Sequence, residues 1–196
     1  HCRALVRETP TGTPVEKNLV ILADERGRLH CLDADGRGDG TAKVYWTYPS
    51  TLPANLDPNL SPGRDANDPA GQKFDGENDT LSATMATDYD MSTAVVQRLS
   101  IPGPGGITIQ RDFLFIGTKN GRVNCISMEG RGDAGTTTPG TTYRRWTYPE
   151  TFPSPRATTS KLGAITSIVH GTVVFRSRPK DIIYVGTEQG RIYALD

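Results

Sequence analysis

Three segments of the chain are copies of one another. Leu19-Val-Ile-Leu-Ala-Asp-Glu-Arg-Gly27-Arg-Leu-His-Cys31-Leu-Asp33 aligns without a gap on Phe113-Leu-Phe-Ile-Gly-Thr-Lys-Asn-Gly121-Arg-Val-Asn-Cys125-Ile-Ser127, and both align on Ile182-Ile-Tyr-Val-Gly-Thr-Glu-Gln-Gly190-Arg-Ile-Tyr-Ala194-Leu-Asp196. Each copy is an apolar run, a polar turn ending in Gly-Arg, and a second run of apolar, polar, small and apolar residues. That is the pattern of a β-hairpin, in which Gly27, Gly121 and Gly190 supply the positive φ that a short loop needs. The first run is apolar at successive positions, as expected of a strand whose sheet is covered on both faces. A repeated unit of this size buries its apolar surface by stacking on its neighbours, so the fold must be a stack of like sheets.

Each hairpin is flanked by further strand signals. Trp46-Thr-Tyr-Pro-Ser-Thr-Leu-Pro53 returns as Trp146-Thr-Tyr-Pro-Glu-Thr-Phe-Pro153, identical at six of eight positions, and reads as an outer strand ended by a proline that cannot donate to a ladder. Ahead of the hairpins, Gly12–Val15 and Gly106–Ile109 read as inner strands, with 164–169 or 172–176 serving the third copy. The sequence therefore predicts four strands per unit, almost no helix, and strands near 19–24, 28–33, 43–48, 113–118, 122–127, 143–148, 182–187 and 191–195. The units are 1–53, 101–153 and 154–196, separated by an insertion over 54–100. The first residues, Cys2 to Arg7, have no repeat counterpart in this reading, and the third unit lacks its outer strand.

Cys31-Leu-Asp-Ala-Asp-Gly36 followed by Lys43-Val-Tyr-Trp46, and the final Tyr193-Ala-Leu-Asp196, resemble the repeat of the quinoprotein-alcohol-dehydrogenase-like (PQQ-like) β-propeller family. The resemblance implies an all-β propeller of four-stranded antiparallel blades, about three of them present as a partial ring. By position, it makes Trp46 and Trp146 the docking tryptophans that stack between blades. It also implies a periplasmic or cell-surface setting in bacteria. WD40 and kelch repeats fit less well, because neither the Gly-His to Trp-Asp pairing nor a double glycine at kelch spacing occurs. Propeller rings hold four to eight blades, so the reading expects the remainder of a longer parent chain, or another chain, to complete the ring.

Composition agrees with many short strands: Gly (21) and Pro (14) are abundant, marking frequent turns. The charges balance, with 22 basic and 22 acidic residues, which removes the global field expected of a nucleic-acid binder. No apolar run is long enough to span a bilayer. The chain starts at His1 without a signal-peptide pattern, and reads as a piece of a longer protein. Charge is uneven locally, since 54–100 carries eight acidic residues against three basic. That stretch reads either as a solvated connecting loop or as a recognition loop on one face of the scaffold.

Candidate chemistry is sparse. Asp33, Asp35 and Asp39 form a spaced carboxylate set of the kind calcium favours, although turn chemistry accounts equally for Asp and Gly here. Arg-Gly-Asp occurs at 37–39 and again at 131–133, in repeat-equivalent turns. The three cysteines lack any CxxC spacing; Cys31 and Cys125 share the slot of Ala194 and are expected to be buried free thiols facing the packing between sheets. His1, His30 and His170 are scattered, with His170 read at a His-Gly turn, and no triad is assigned. The leading functional expectation is a noncatalytic module presenting loops to a protein partner or ligand. The alternative is part of a periplasmic PQQ-dependent dehydrogenase, which would need the quinone and calcium.

Overall fold

The computed structural model describes residues 1–9, 12–23, 29–48, 60–61, 64–65, 92–119, 121–130, 140–142, 144–149 and 162–196. The first sheet holds β1 (Cys2–Val6), β2 (Val15–Ala23), β3 (Leu29–Asp33) and β4 (Val44–Tyr48), each antiparallel to the next. A small hairpin of β5 (Leu60–Ser61) and β6 (Arg64–Asp65) follows. The second sheet holds β7 (Val95–Pro102), β8 (Thr108–Gly117), β9 (Val123–Ser127) and β11 (Arg144–Tyr148), while the short β10 (Gly140–Thr141) between β9 and β11 joins the edge of the first sheet, parallel to β4. The third holds β12 (Ile165–Phe175), β13 (Arg178–Thr187) and β14 (Ile192–Leu195). Among the described residues the only helical geometry is one 3-10 turn at Pro104–Gly106, and no helix is long and apolar enough to cross a membrane. The molecule is all-β, and its three main sheets are built on one antiparallel plan.

All eight strand positions expected from the repeats are present, several extended at their first end. The inner strands are placed differently. Gly106 lies in the turn between β7 and β8, where Gly105 and Gly106 both adopt positive φ, and Val15 opens β2. The true first strands are β1, β7 and β12, so Cys2–Val6 does have repeat counterparts, and the second sheet starts at Val95, ahead of residue 101. The two candidate segments of the third unit are one strand, and His170-Gly171 lies within it rather than in a turn. The reason is local: the β12–β13 hairpin turns on Arg176 and Ser177, at φ of 50° and 63°, two residue types that do not announce a left-handed turn.

Register alternation fixes what each face buries. Along β8, Leu114 and Ile116 pack toward the first sheet, while Phe113 and Phe115 pack toward the third. Against the first pair stand Ala4, Val6, Leu19, Leu29, Cys31 and Trp46; against the second stand Ile165, Ile168, Ile183 and Val185. The middle sheet is thus covered on both faces, which explains its unbroken apolar run. Each fully buried large side chain contributes about 1.5–3 kcal/mol. The sheets also approach closely: a methyl group on Gly117 would lie 2.2 Å from Cγ2 of Ile165.

Candidate functional site

The hairpin motif has a common geometry wherever it is described. Thr118 N–H donates to the Arg122 carbonyl at 2.9 Å and Gly121 N–H to the Thr118 carbonyl at 3.0 Å; Thr187, Arg191 and Gly190 repeat both bonds at 3.0 Å. Gly121 and Gly190 sit at φ of 82° and 72°, a left-handed conformation that a side chain would strain. Gly27 lies outside the described residues. The arginine of the motif has a role that the turn reading did not contain. Arg122 is buried and its Nη1 donates to the Pro149 carbonyl at 2.6 Å, fastening the hairpin to the end of β11.

The two repeated tryptophans sit at successive sheet junctions. Trp46 is fully buried between the first and second sheets, and its Nε1–H donates to the Met128 carbonyl at 2.9 Å. Around it Tyr45 and Tyr48 are buried, and β10 runs parallel to β4 with Gly140 beside Trp46. Trp146 tilts against Phe115 with ring centroids 5.8 Å apart, but it is only half-buried, and Tyr148 is exposed. Beside Trp146 a cavity of about 570 Å³ opens between the second and third sheets. Its lining is apolar on the second-sheet side, with Leu99, Phe113, Phe115 and Cys125, and its rim carries Arg145, Asp181 and Asp196.

Charged groups tie the first two sheets. Buried Asp112 accepts two hydrogen bonds from Arg98, each 2.8 Å, and a third at 2.7 Å from the backbone N–H of Leu5 on the neighbouring sheet. The Asp112 and Glu16 contacts raise the Arg98 pKa above its ordinary value. Glu129, also buried, pairs with Arg7 and Arg111. These carboxylates carried no sequence signal, because each acquires its partners from residues distant in the chain.

Asp33, Asp35 and Asp39 are spent on separate local contacts. Asp33 accepts the Asp35 N–H at 3.0 Å and the Tyr45 hydroxyl at 3.0 Å, whereas Asp35 takes Asn18 Nδ2 at 3.2 Å. Asp39 accepts both the N–H and hydroxyl of Thr41, which lowers its pKa. No group of three His, Cys, Asp or Glu among the described residues is arranged to hold a metal ion. The first Arg-Gly-Asp lies on the exposed turn after β3, and the second, at 131–133, is outside the described residues. His30 lies on β3.

Cys2, Cys31 and Cys125 are all free thiols. Cys31 and Cys125 are buried at the two successive junctions, as expected, and burial raises the pKa of both. No family model, no curated protein and no solved structure matches the chain.

Proposed function

We propose that this chain is a binding scaffold: a partial β-propeller of the quinoprotein-alcohol-dehydrogenase-like type, whose stacked blades hold connecting loops out to a protein partner or ligand. The observation that supports it is the stacking. The second sheet lies between two sheets of the same antiparallel plan, and equivalent positions, such as Cys31 and Cys125, recur at both junctions. Such a stack is rigid, and loops on rigid scaffolds are where recognition concentrates. Further blades, from the remainder of a longer parent chain or from another chain, complete the ring; the setting is the bacterial periplasm or cell surface.

Calorimetric titration of the 196-residue chain with PQQ and calcium, followed by a dye-reduction assay with simple alcohols, tests the noncatalytic part of this reading. Neither heat of binding nor dye reduction is expected. Saturable quinone binding with alcohol-dependent reduction would transfer the chain to the dehydrogenase class.

A further inference from the structure

We propose that the apex of the β12–β13 hairpin is a docking element for a membrane surface, and that the surface it takes is one of anionic phospholipid headgroups. The inference goes beyond the scaffold reading and needs neither the quinoprotein resemblance nor a closed ring.

The apex projects as part of a plan that all three sheets share. Pairing to the third strand begins at Leu19, Phe113 and Ile183, so Val15–Asn18, Thr108–Asp112 and Arg178–Ile182 run on past it with the first strand beside them. In the second sheet residues 105–108 are exposed although the third sheet stacks beyond them. An apex of this kind therefore stays in solvent whether or not another sheet follows.

The third apex is set apart by its side chains. Residues 174–181 are exposed without a break, Val174 at 77% and Phe175 at 54%. Arg176, Arg178 and Lys180 follow them, and the nearest carboxylate in the hairpin, Asp181, is already held by His170 Nε2 at 3.0 Å and by the Thr172 hydroxyl at 3.2 Å. Arg176 and Lys180 lie over the Phe175 ring, 5.2 and 5.9 Å from its centroid. Lys180 also pairs with Asp196, but among the described residues neither Arg176 nor Arg178 has a carboxylate partner. The other two apices differ. In the first sheet Arg7 is paired with Glu129 and Lys17 with Glu8, and in the second no charged residue occurs from Ile101 to Ile109.

Charge complementarity and register together select the occupant. Val174 lies opposite Pro179 and Phe175 opposite Arg178, and alternation along a strand sends these two pairs to opposite faces of the hairpin. A flat protein surface would cover one face. A bilayer interface entered end-on surrounds both, taking the two apolar side chains below the headgroups while the long cationic ones reach back to the phosphates. The turn itself is only Arg176 and Ser177, so little backbone has to enter.

The test is co-sedimentation of the full 196-residue chain with vesicles of phosphatidylglycerol and phosphatidylcholine in equal parts, against vesicles of phosphatidylcholine alone. Binding to the anionic vesicles is expected, at least about tenfold tighter than to the neutral ones and weakened by salt. Hydrogen exchange should slow at the backbone amides of 173–180 and not at those of 103–108. Arg176→Asn keeps a residue type that accepts positive φ, and Arg178→Gln changes an exposed strand position; each should weaken binding by about fivefold. Phe175→Ser should weaken it by about tenfold. All three variants should keep the circular dichroism of the parent. Equal binding to both vesicles, binding that leaves the apex amides unprotected, or no binding by a chain with its β-sheet signal intact overturns the proposal. Tighter binding to polyglutamate than to the anionic vesicles would make the occupant an acidic polypeptide and likewise overturn it. If light scattering finds a dimer whose apex amides are protected before lipid is added, a second copy covers the apex and the assignment fails. Quinone binding in the earlier experiment would leave these outcomes untouched, so the two readings fail separately.

Discussion

The junction around Trp46 and the junction around Trp146 are built from nearly the same sequence, yet among the described residues only the first is sealed. Trp46 is wholly buried and hydrogen-bonded to Met128, with Tyr45 and Tyr48 closed around it and β10 laid along its strand. Trp146 borders a cavity of about 570 Å³, with Arg145 in the place of Tyr45 and an exposed Tyr148 in the place of Tyr48. The difference lies in what faces each tryptophan. The sheet beyond Trp46 has four strands of its own, and the sheet beyond Trp146 has three among the described residues. An aromatic side chain at such a junction is therefore fully buried only when the next sheet is wide enough to cover it.

The largest effect that can break this comparison comes from truncating the two tryptophans. Trp46→Ala should destabilise the chain by about 3–5 kcal/mol, the range for a large aromatic removed from a packed core. Trp146→Ala should cost about 1–2 kcal/mol, because its side chain is already partly in contact with water. Denaturant unfolding of both variants measures the two values side by side. Equal losses would mean that the junctions are energetically alike despite the cavity.

Alkaline titration sharpens the comparison through the two cysteines, one at each junction. Burial raises both thiol pKa values in the folded state, so the stability they contribute is whole below the unfolded thiol pKa of about 8.5. It is lost as pH rises from there toward the folded values, because the unfolded chain releases protons that the folded chain retains. Each thiol then costs about 1.4 kcal/mol per pH unit. Melting temperatures should fall above about pH 9, and Cys31→Ala and Cys125→Ala should each flatten that fall. A slope that neither variant changes would mean that other groups govern alkaline unfolding.

The smallest effect concerns the third unit's turn. A methyl group at Gly190 would meet no atom within 4 Å, so Gly190→Ala isolates the backbone cost of φ at 72°. That cost is about 1 kcal/mol, readable as a small shift in the thermal midpoint. A loss several times larger would mean that the turn bears on packing as well as on chain direction.

Much of the fold was legible in the residues because hairpins are local. The Gly-Arg turns, the flanking apolar runs and the Trp-Thr-Tyr-Pro strands each carry their signal within a few neighbouring positions, and the strands appear at the expected places. The first strands were misplaced because one of their turns uses Arg176 and Ser177, and another draws its glycines from a segment that itself alternates like a strand. Of the candidate site, Trp46 and Trp146 could be read from their repetition. Asp33, Asp35 and Asp39 share a short stretch of sequence, but spacing does not reveal that each carboxylate turns to its own partner.

The sequence by itself determined the unit: a Gly-centred hairpin, a Trp strand and buried small residues, repeated at equivalent positions so that like sheets stack. Only the tertiary structure decided how the units are joined. Asp112 takes its partners from Arg98 and from the Leu5 amide, Arg122 is fastened to the Pro149 carbonyl, and Trp46 finds the Met128 carbonyl. Those are contacts between distant parts of the chain, set by sheet spacing and register, and no local pattern encodes which donor will meet which acceptor. The cavity beside Trp146 belongs to the same class, because a space is defined by the surfaces of two sheets.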